Sequence, residues 1–316
     1  MSHLTKPPVL FLIFNRPEPT ARVFERLREI QPTQLYIAAD GPRAQKAGEA
    51  ELCAQTRAIV ANIDWPCECK TLFREENLGC RDAVSSAITW FFEQVDEGII
   101  LEDDCLPEPS FFPFCSELLA RYRYDKRVAT IGGYGEISRQ AFGEASYGFS
   151  LYNIPWGWAT WKRAWAYYEG TPPDFETLMD STWLQDLHGS PEVAEYWRTQ
   201  FRRISIWDFL YRLSIWRNGG LCIIPAVNLI SNIGFGADAT HTQNAGAAND
   251  SRPTEPITFP LRHPAYVSRN YEIDRELNRT RFHVKPKITP RPISKRMERF
   301  DPIAHKLARK LRKFIR

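Results

Sequence analysis

The chain has 316 residues, 43% hydrophobic and 25% charged, with a formal net charge of +3. This composition excludes a disordered or fibrous chain and allows a sizeable core, in one large domain or two small ones. No stretch reaches the roughly 18 uncharged apolar residues that a membrane-spanning helix requires.

Val9–Phe14 is a continuous apolar run and predicts a buried parallel strand. Asn15-Arg16-Pro17 follows it where a signal peptide would carry small residues for cleavage, so a cytoplasmic first strand is expected instead. Pro17 and Pro19 open a helix with Val23, Phe24, Leu27 and Ile30 on one face. Leu35–Ala39 predicts the second strand, ending at the turn signal Asp40-Gly41-Pro42. Residues 44–62 have a helical pattern, and Cys69–Phe73 predicts a third strand. Residues 81–95 predict an amphipathic helix carrying Val84, Ile88, Phe91 and Phe92. Ile99-Ile100-Leu101 predicts a fourth strand stopping at Glu102-Asp103-Asp104. Pro109–Tyr122 follows as a helix and Val128–Gly132 as a fifth strand. This alternation predicts an α/β fold with a mostly parallel, Rossmann-like sheet flanked by helices. Ligands of such sheets gather at the carboxyl ends of the strands.

The texture changes in the second half. Eight of the ten tryptophans lie between Trp156 and Trp216. Ile204–Arg217 has a helical pattern, and Leu221–Ile224 predicts a strand after Asn218-Gly219-Gly220. Residues 231–250, SNIGFGADATHTQNAGAAND, are small, polar and rich in Gly and Ala, the texture of a long functional loop. The seven cysteines are odd in number and scattered, as reduced thiols are. Cys67-Glu68-Cys69 lacks the second pair that a four-ligand zinc site needs. The expected division is 1–132 for nucleotide-sugar binding, 133–284 for an aromatic-rich acceptor side of the same domain, and 285–316 for a basic tail.

Three adjacent carboxylates at a strand end repel one another, and a hard cation such as Mg²⁺ or Mn²⁺ would relieve them. The same triplet is also what a water-solvated acidic corner looks like. Asn77-Leu78-Gly79-Cys80-Arg81-Asp82 opens a helix, where backbone N–H groups and an arginine favour anions. Arg16 and Asp40 fall at the ends of the first and second strands, so four polar clusters are expected along one rim.

The segments LFLIFNRP, IAADGPR, NLGCRDAVSSAITWFFE and GIILEDDCLPEPSFFPF together resemble the nucleotide-sugar half of a GT-A glycosyltransferase. The likeness is to bacterial family-2-like enzymes and to N-acetylglucosaminyltransferase I. That resemblance implies a D-x-D-type motif in Glu102-Asp103-Asp104, with Asp104 as the ligand of Mn²⁺ or Mg²⁺. It implies a donor site of Phe14, Asn15, Arg16, Asp40, Gly41, Asn77, Gly79, Arg81, Glu102 and Asp103, with Asp40 at the uracil or ribose and Arg81 at the nucleotide or diphosphate. NIPWGWATWKRAW is similar to an acceptor-side segment, placing Trp156, Gly157 and Trp158 beside a sugar. SIWDFLYRLSIWRNGG resembles the helix that holds the catalytic base, here Asp208 after Trp207. SNIGFGADATHT is similar to a loop that folds over the nucleotide-sugar, with Phe235 and Gly236 at the substrate and His241 at the diphosphate or metal.

From the residues themselves, an inverting sugar transfer needs a carboxylate to take the acceptor hydroxyl's proton, and Asp208 supplies one in an aromatic setting that raises its pKa. Trp156 and Trp158 have faces on which a sugar stacks, although tryptophan clusters are more often core. The expected activity is transfer of a sugar from a nucleotide donor, with uridine as its base, to a glycan or lipid-linked acceptor. Two alternatives stand beside it: a sugar nucleotidyltransferase, and a non-catalytic carbohydrate-binding protein of the same fold.

From Lys285 to Arg316 there are 12 Lys or Arg against Glu298 and Asp301, while the remaining residues carry 29 basic and 36 acidic side chains. After Pro302 the apolar residues Ile303, Leu307, Leu311, Phe314 and Ile315 share one helical face. Such a helix lies on an anionic membrane surface, or alternatively docks on the protein's own acidic body. No nucleic-acid partner is expected.

Overall fold

The computed structural model describes residues 6–203, 206–234 and 252–284. The expected tail helix, Phe235, Gly236 and His241 lie outside these residues. One eight-stranded sheet organises the chain. Strand β1 (Val9–Ile13) leads through helix α1 (Pro17–Ile30) to β2 (Gln34–Ala39), and α2 (Glu49–Val60) leads to β3 (Glu68–Phe73). Helix α3 (Gly79–Gln94), β4 (Glu97–Glu102), the short β5 (Cys105–Pro107), α4 (Phe111–Tyr122) and β6 (Val128–Gly132) complete the first half. The second half contributes β7 (Tyr147–Ser150), β8 (Trp158–Trp161), α5 (Lys162–Trp165), α6 (Phe175–Asp180), α7 (Trp183–His188), α8 (Pro191–Arg203), α9 (Trp207–Arg217), β9 (Leu221–Pro225), β10 (Ile230–Asn232) and α10 (Tyr271–Thr280).

The strand order is β3-β2-β1-β4-β8-β6-β9-β7. Neighbours β3/β2, β2/β1, β1/β4 and β6/β9 are parallel, whereas β8 runs antiparallel to both β4 and β6, and β7 antiparallel to β9. Six strands therefore share one direction, and the mostly parallel α/β sheet expected from the sequence is present. Strand β8, from the second half, sits between β4 and β6, so both halves build one sheet. A separate pair, β5 with β10, lies antiparallel at the edge of the cleft.

The reasons for this arrangement are local. Strand β1 is buried along its whole length because VLFLI is covered on both faces, as parallel strands are. Helix α1 starts at a proline and buries Thr20, Val23, Phe24 and Leu27, so its apolar stripe faces the sheet. Its end is fixed by Gln31 at φ +54°, whose N–H donates to the Leu27 carbonyl at 2.8 Å. Helix α2 is shorter than the expected 44–62 and begins after Gly48.

The aromatic second half is mostly core. Trp161, Trp197, Tyr147, Tyr152 and Tyr211 are among the largest fully buried side chains. Helix α10 closes this core. Asn270 caps it, accepting from Glu272 N at 3.0 Å and Ile273 N at 3.4 Å. Its buried Asp274 accepts from Ser150 Oγ at 2.5 Å, from Leu151 N at 3.1 Å and from Arg269 Nε. Replacing Asp274 by Ala leaves a part-buried guanidinium and two donors unanswered, a loss of about 3–5 kcal/mol. Urea unfolding of Asp274→Ala should show that drop in midpoint with an unchanged m-value.

Candidate functional site

The carboxyl ends of β1, β2 and β4 lie level, since Leu12 pairs with both Ala38 and Glu102. Beyond them opens a cavity of about 480 Å³. Its floor is aliphatic, with Leu12, Ala38, Val84 and Ala87. Its walls hold Phe14, Arg16, Asp40, Arg43, Arg74, Asn77, Gly79, Cys80, Glu102, Asp103, Asp104, Trp156, Asn232 and Gly234. The rim expected from four polar clusters is thus largely assembled. Arg43, Arg74, Cys80, Asn232 and Gly234 were missed as lining residues, although each falls inside or beside a strand end or segment singled out above.

The centre of the wall is an ion triplet. Arg16 follows β1 directly and its guanidinium donates from Nη2 to Asp103 Oδ1 and from Nη1 to Asp104 Oδ2, the latter at 2.9 Å. Asp103 Oδ2 accepts from Phe14 N at 3.3 Å, and Asp104 Oδ1 accepts from Cys105 Sγ at 3.4 Å. All four oxygens of the pair therefore have donors. Burial pushes Asp103 up to about 6 in spite of Arg16. Glu102 is raised well above the usual carboxylate range by desolvation and then by the charges of Asp104 and Asp103. A divalent cation needs free carboxylate oxygens and room for its waters. Here Arg16 stands where the cation was expected, and no cluster of three or more His, Cys, Asp or Glu able to hold a metal occurs among the described residues. As arranged, the residues do not fit a divalent cation on Asp104.

Gly234 roofs this triplet. A Cβ there would lie 2.4 Å from Asp104 Oδ2 and 2.8 Å from Arg16 Nη1. Ile233 N donates to the Asp104 carbonyl at 2.8 Å, which ties the strand after β10 to the β4–β5 turn.

Other donor-side residues are placed differently from a ligand-facing role. The Asp40 carboxylate accepts from Gly41 N, Leu78 N and Gly79 N at 3.0, 3.0 and 3.1 Å and from Asn77 Nδ2 at 2.9 Å. It borders the cavity but is engaged in pinning the start of α3. Gly41 is required there by packing, because a Cβ would lie 2.5 Å from the Glu76 backbone. Asn15 is outside the cavity wall and donates to Glu49 Oε1 at 2.9 Å. Arg81 is exposed and pairs with Asp82 at 2.8 Å, also away from the wall.

On the acceptor side, Trp156 lines the cavity, edge-on to Tyr134 at 5.1 Å and with Arg281 4.0 Å above its ring. Trp158 and Trp207 do not meet the expectation of substrate contact. They are 2% and 3% exposed and stack on each other at 5.9 Å inside the core. Trp156 precedes β8, which begins at Trp158, and the chain turns between them at Gly157 with φ +57°, so the two rings are not related by strand alternation. Gly157 packs against Ile230.

Asp208 lies in the first turn of α9. Its Oδ1 is buried and has no hydrogen-bond partner among the described residues. Desolvation raises its pKa, with Arg212 opposing. Its charge in turn contributes to raising Glu102, and to pushing the Cys80 thiol up to about 12 together with desolvation. Glu102 and Cys80 both line the cavity, so the charge of Asp208 is felt at that wall, although Asp208 is not itself a lining residue. Glu176 and Asp186, two further acids of this half, are exposed and hydrogen-bonded to Arg202 and Thr182.

No family model and no curated protein matches the chain. Among solved structures, HddC from Yersinia pseudotuberculosis overlaps with a TM-score of 0.32 at 11% identity, over 50% of this chain and 77% of that one. The 4-diphosphocytidyl-2C-methyl-D-erythritolsynthase from Anaerococcus prevotii overlaps with a TM-score of 0.32 at 7% identity, over 56% and 78%. UDP-glucose pyrophosphorylase complexed with UDP-glucose overlaps with a TM-score of 0.33 at 10% identity, over 69% and 90%. These likenesses concern sheet architecture alone.

Beside the cavity, Glu49 is 1% exposed, and hydrogen bonds from the Arg43 side chain hold it down to about 2 against the opposing effect of burial. A carboxylate depressed in the folded state stabilises above its unfolded value of about 4.3, and that contribution is lost as pH falls through the folded value. Glu49→Gln should therefore be less stable than wild type at neutral pH and show a smaller loss between pH 4.3 and 2 in acid titrations followed by circular dichroism.

Proposed function

We propose that the protein is a transferase that moves a sugar from a nucleoside-diphosphate donor, with uridine as its base, to a hydroxyl of a glycan or lipid-linked acceptor. The observation that carries this reading is the cavity at the strand ends, lined by aliphatic and by charged side chains. Its size suits a ligand of several rings, and its charged groups suit a phosphorylated one. The resemblance in the four strand-end segments supplies the donor class.

In this reading the aliphatic lining of Leu12, Ala38 and Val84 takes the less polar part of the donor, and Arg74 adds positive charge to the wall facing its phosphates, Arg43 being paired with Glu49. Asp208 is the general base. Burial raises its pKa, the direction that strengthens a carboxylate as a base. Proton transfer from the acceptor hydroxyl to Asp208 accompanies attack on the anomeric carbon and departure of the nucleoside diphosphate, with inversion. Trp156, held between Tyr134 and Arg281, offers an aromatic face at the sugar end.

The second reading is nucleotidyl transfer, the chemistry named in UDP-glucose pyrophosphorylase above; the overlapping structures fall on its side by name. It asks for a run of backbone donors around a triphosphate after β1. Pro17 and Pro19 at that place have no N–H, and Arg16 is engaged with two carboxylates. The released product separates the readings. Incubated with UDP-sugars and a glycan acceptor, the protein should release UDP; pyrophosphate from UTP and a sugar phosphate would replace the first reading by the second. Asp208→Asn should lower kcat about 10²–10⁴-fold, the span of general-base contributions, with donor affinity retained. Turnover that survives this change would remove Asp208 from the mechanism.

A further inference from the structure

We propose that Arg16 is the resident counter-cation of the Asp103–Asp104 pair, so that this pair is closed to a divalent metal unless the guanidinium is displaced. The inference deepens the reading above, in which the same cleft cleaves a nucleoside-diphosphate sugar, and it concerns what neutralises the carboxylates there.

Three observations carry it. The guanidinium spans both side chains, with Nη2 on Asp103 and Nη1 on Asp104 at 2.9 Å, and Arg16 is held in place by its position between β1 and the proline start of α1. The remaining carboxylate oxygens are taken by Phe14 N and Cys105 Sγ. The pair is also roofed, since Gly234 approaches so closely that even a methyl group would collide with Asp104 Oδ2 and Arg16 Nη1. Mg²⁺ and Mn²⁺ bind hard oxygen atoms and Mg²⁺ keeps several waters in near-octahedral geometry. Such an ion would have to break the bidentate pairing, approach a like-charged guanidinium and open the roof. A planar, permanently charged arginine is well matched to a fixed pair of carboxylates, whereas lysine is a point charge with no fork to span them.

The test uses the full-length protein with Mn²⁺ alone, following free Mn²⁺ by electron paramagnetic resonance and thermal unfolding with and without the ion. Arg16→Met should bind Mn²⁺ at least about tenfold more tightly than wild type, with a correspondingly larger Mn²⁺-dependent rise in Tm, because a ligand of the folded state stabilises by mass action. Equal binding by the two proteins, whether tight or absent, overturns the proposal. Where Arg16→Met does not fold, Arg16→Lys decides: a severalfold gain in Mn²⁺ affinity upholds it and unchanged affinity overturns it. A second arm depends on the sugar-transfer reading. Donor cleavage by wild type should persist in chelator, while cleavage by Arg16→Met should become Mn²⁺-dependent; abolition of wild-type cleavage by chelator counts against the proposal. If no variant cleaves any donor, the sugar-transfer reading fails and the Mn²⁺ titration still decides the role of Arg16.

Discussion

The contact on which the cleft depends is the fork of Arg16 between Asp103 and Asp104. Strand β4 ends at Glu102, the first of three consecutive acids, and Asp103 and Asp104 must turn sharply so that β5 can begin at Cys105. Without a cation this turn would force like charges together beside a buried strand end. Arg16 supplies the cation from the neighbouring strand, so the geometry of the cleft and the cohesion of the sheet edge become one property. Removing one partner of such a pair costs about 3–5 kcal/mol, mostly because the other charge stays buried. Asp103, with its side chain 3% exposed, is the member for which that cost applies most fully. Everything above the triplet is then constrained in turn: Gly234 has room for no side chain, and the β5–β10 ribbon must pass at a fixed height.

A second, less satisfied charge arrangement lies under the acceptor side. Arg212 is 3% exposed, donates to the Asn153 side chain and carbonyl at 3.0 and 2.8 Å, and stands over the rings of Trp197 and Phe209 at 4.8 and 5.0 Å. Its Nη1 and Asp208 Oδ1, one helical turn away, are both buried without hydrogen-bond partners among the described residues. Burial lowers the Arg212 pKa while Asp208 raises it, and the reverse holds for Asp208. Each group moderates the other without the hydrogen bond that would lock the carboxylate. The aromatic cage keeps Arg212 in place through cation–π attraction, which is appreciable once the cation is desolvated. A carboxylate kept near a cation but not fastened to it retains a lone pair for a proton.

The legibility of these features in the sequence follows from their physics. Strands β1, β2, β4 and β6 and the helices between them are visible because strands buried on both faces are continuous apolar runs, as in VLFLI and GIIL. Strand-end residues follow from the same runs, which is why Arg16, Asp103 and Asp104 are found at one rim. Strand β8 is hidden in WGWATW, where tryptophans on both faces obscure the alternation, and so Trp158 cannot be told from Trp156. Short β5, β7 and β10 are too brief to show a period. The antiparallel insertion of β8 between β4 and β6 depends on long-range pairing, Ile99 with Ala159 and Ile131 with Ala159, that local pattern does not encode.

Roles were less legible than positions, because a role depends on partners. Asp40 sits at the strand end expected for it, yet its two oxygens accept four donors from the start of α3 and its own turn. Asn15, one residue from the triplet, turns instead to Glu49, which Arg43 already grips. The sequence places three acids and one arginine at neighbouring strand ends and is silent on which charge answers which. Strand register decides it. Leu12 lies opposite Glu102, so the chain leaves β1 and β4 at the same level. Arg16, four residues beyond Leu12, then meets the two residues that follow Glu102. Had β4 been shifted by one residue against β1, the alternation of side chains would have turned a different carboxylate into the fork. The cation demand of the acidic turn is thus met inside the fold by strand pairing, and the cleft inherits a charged wall whose balance is set before any ligand arrives.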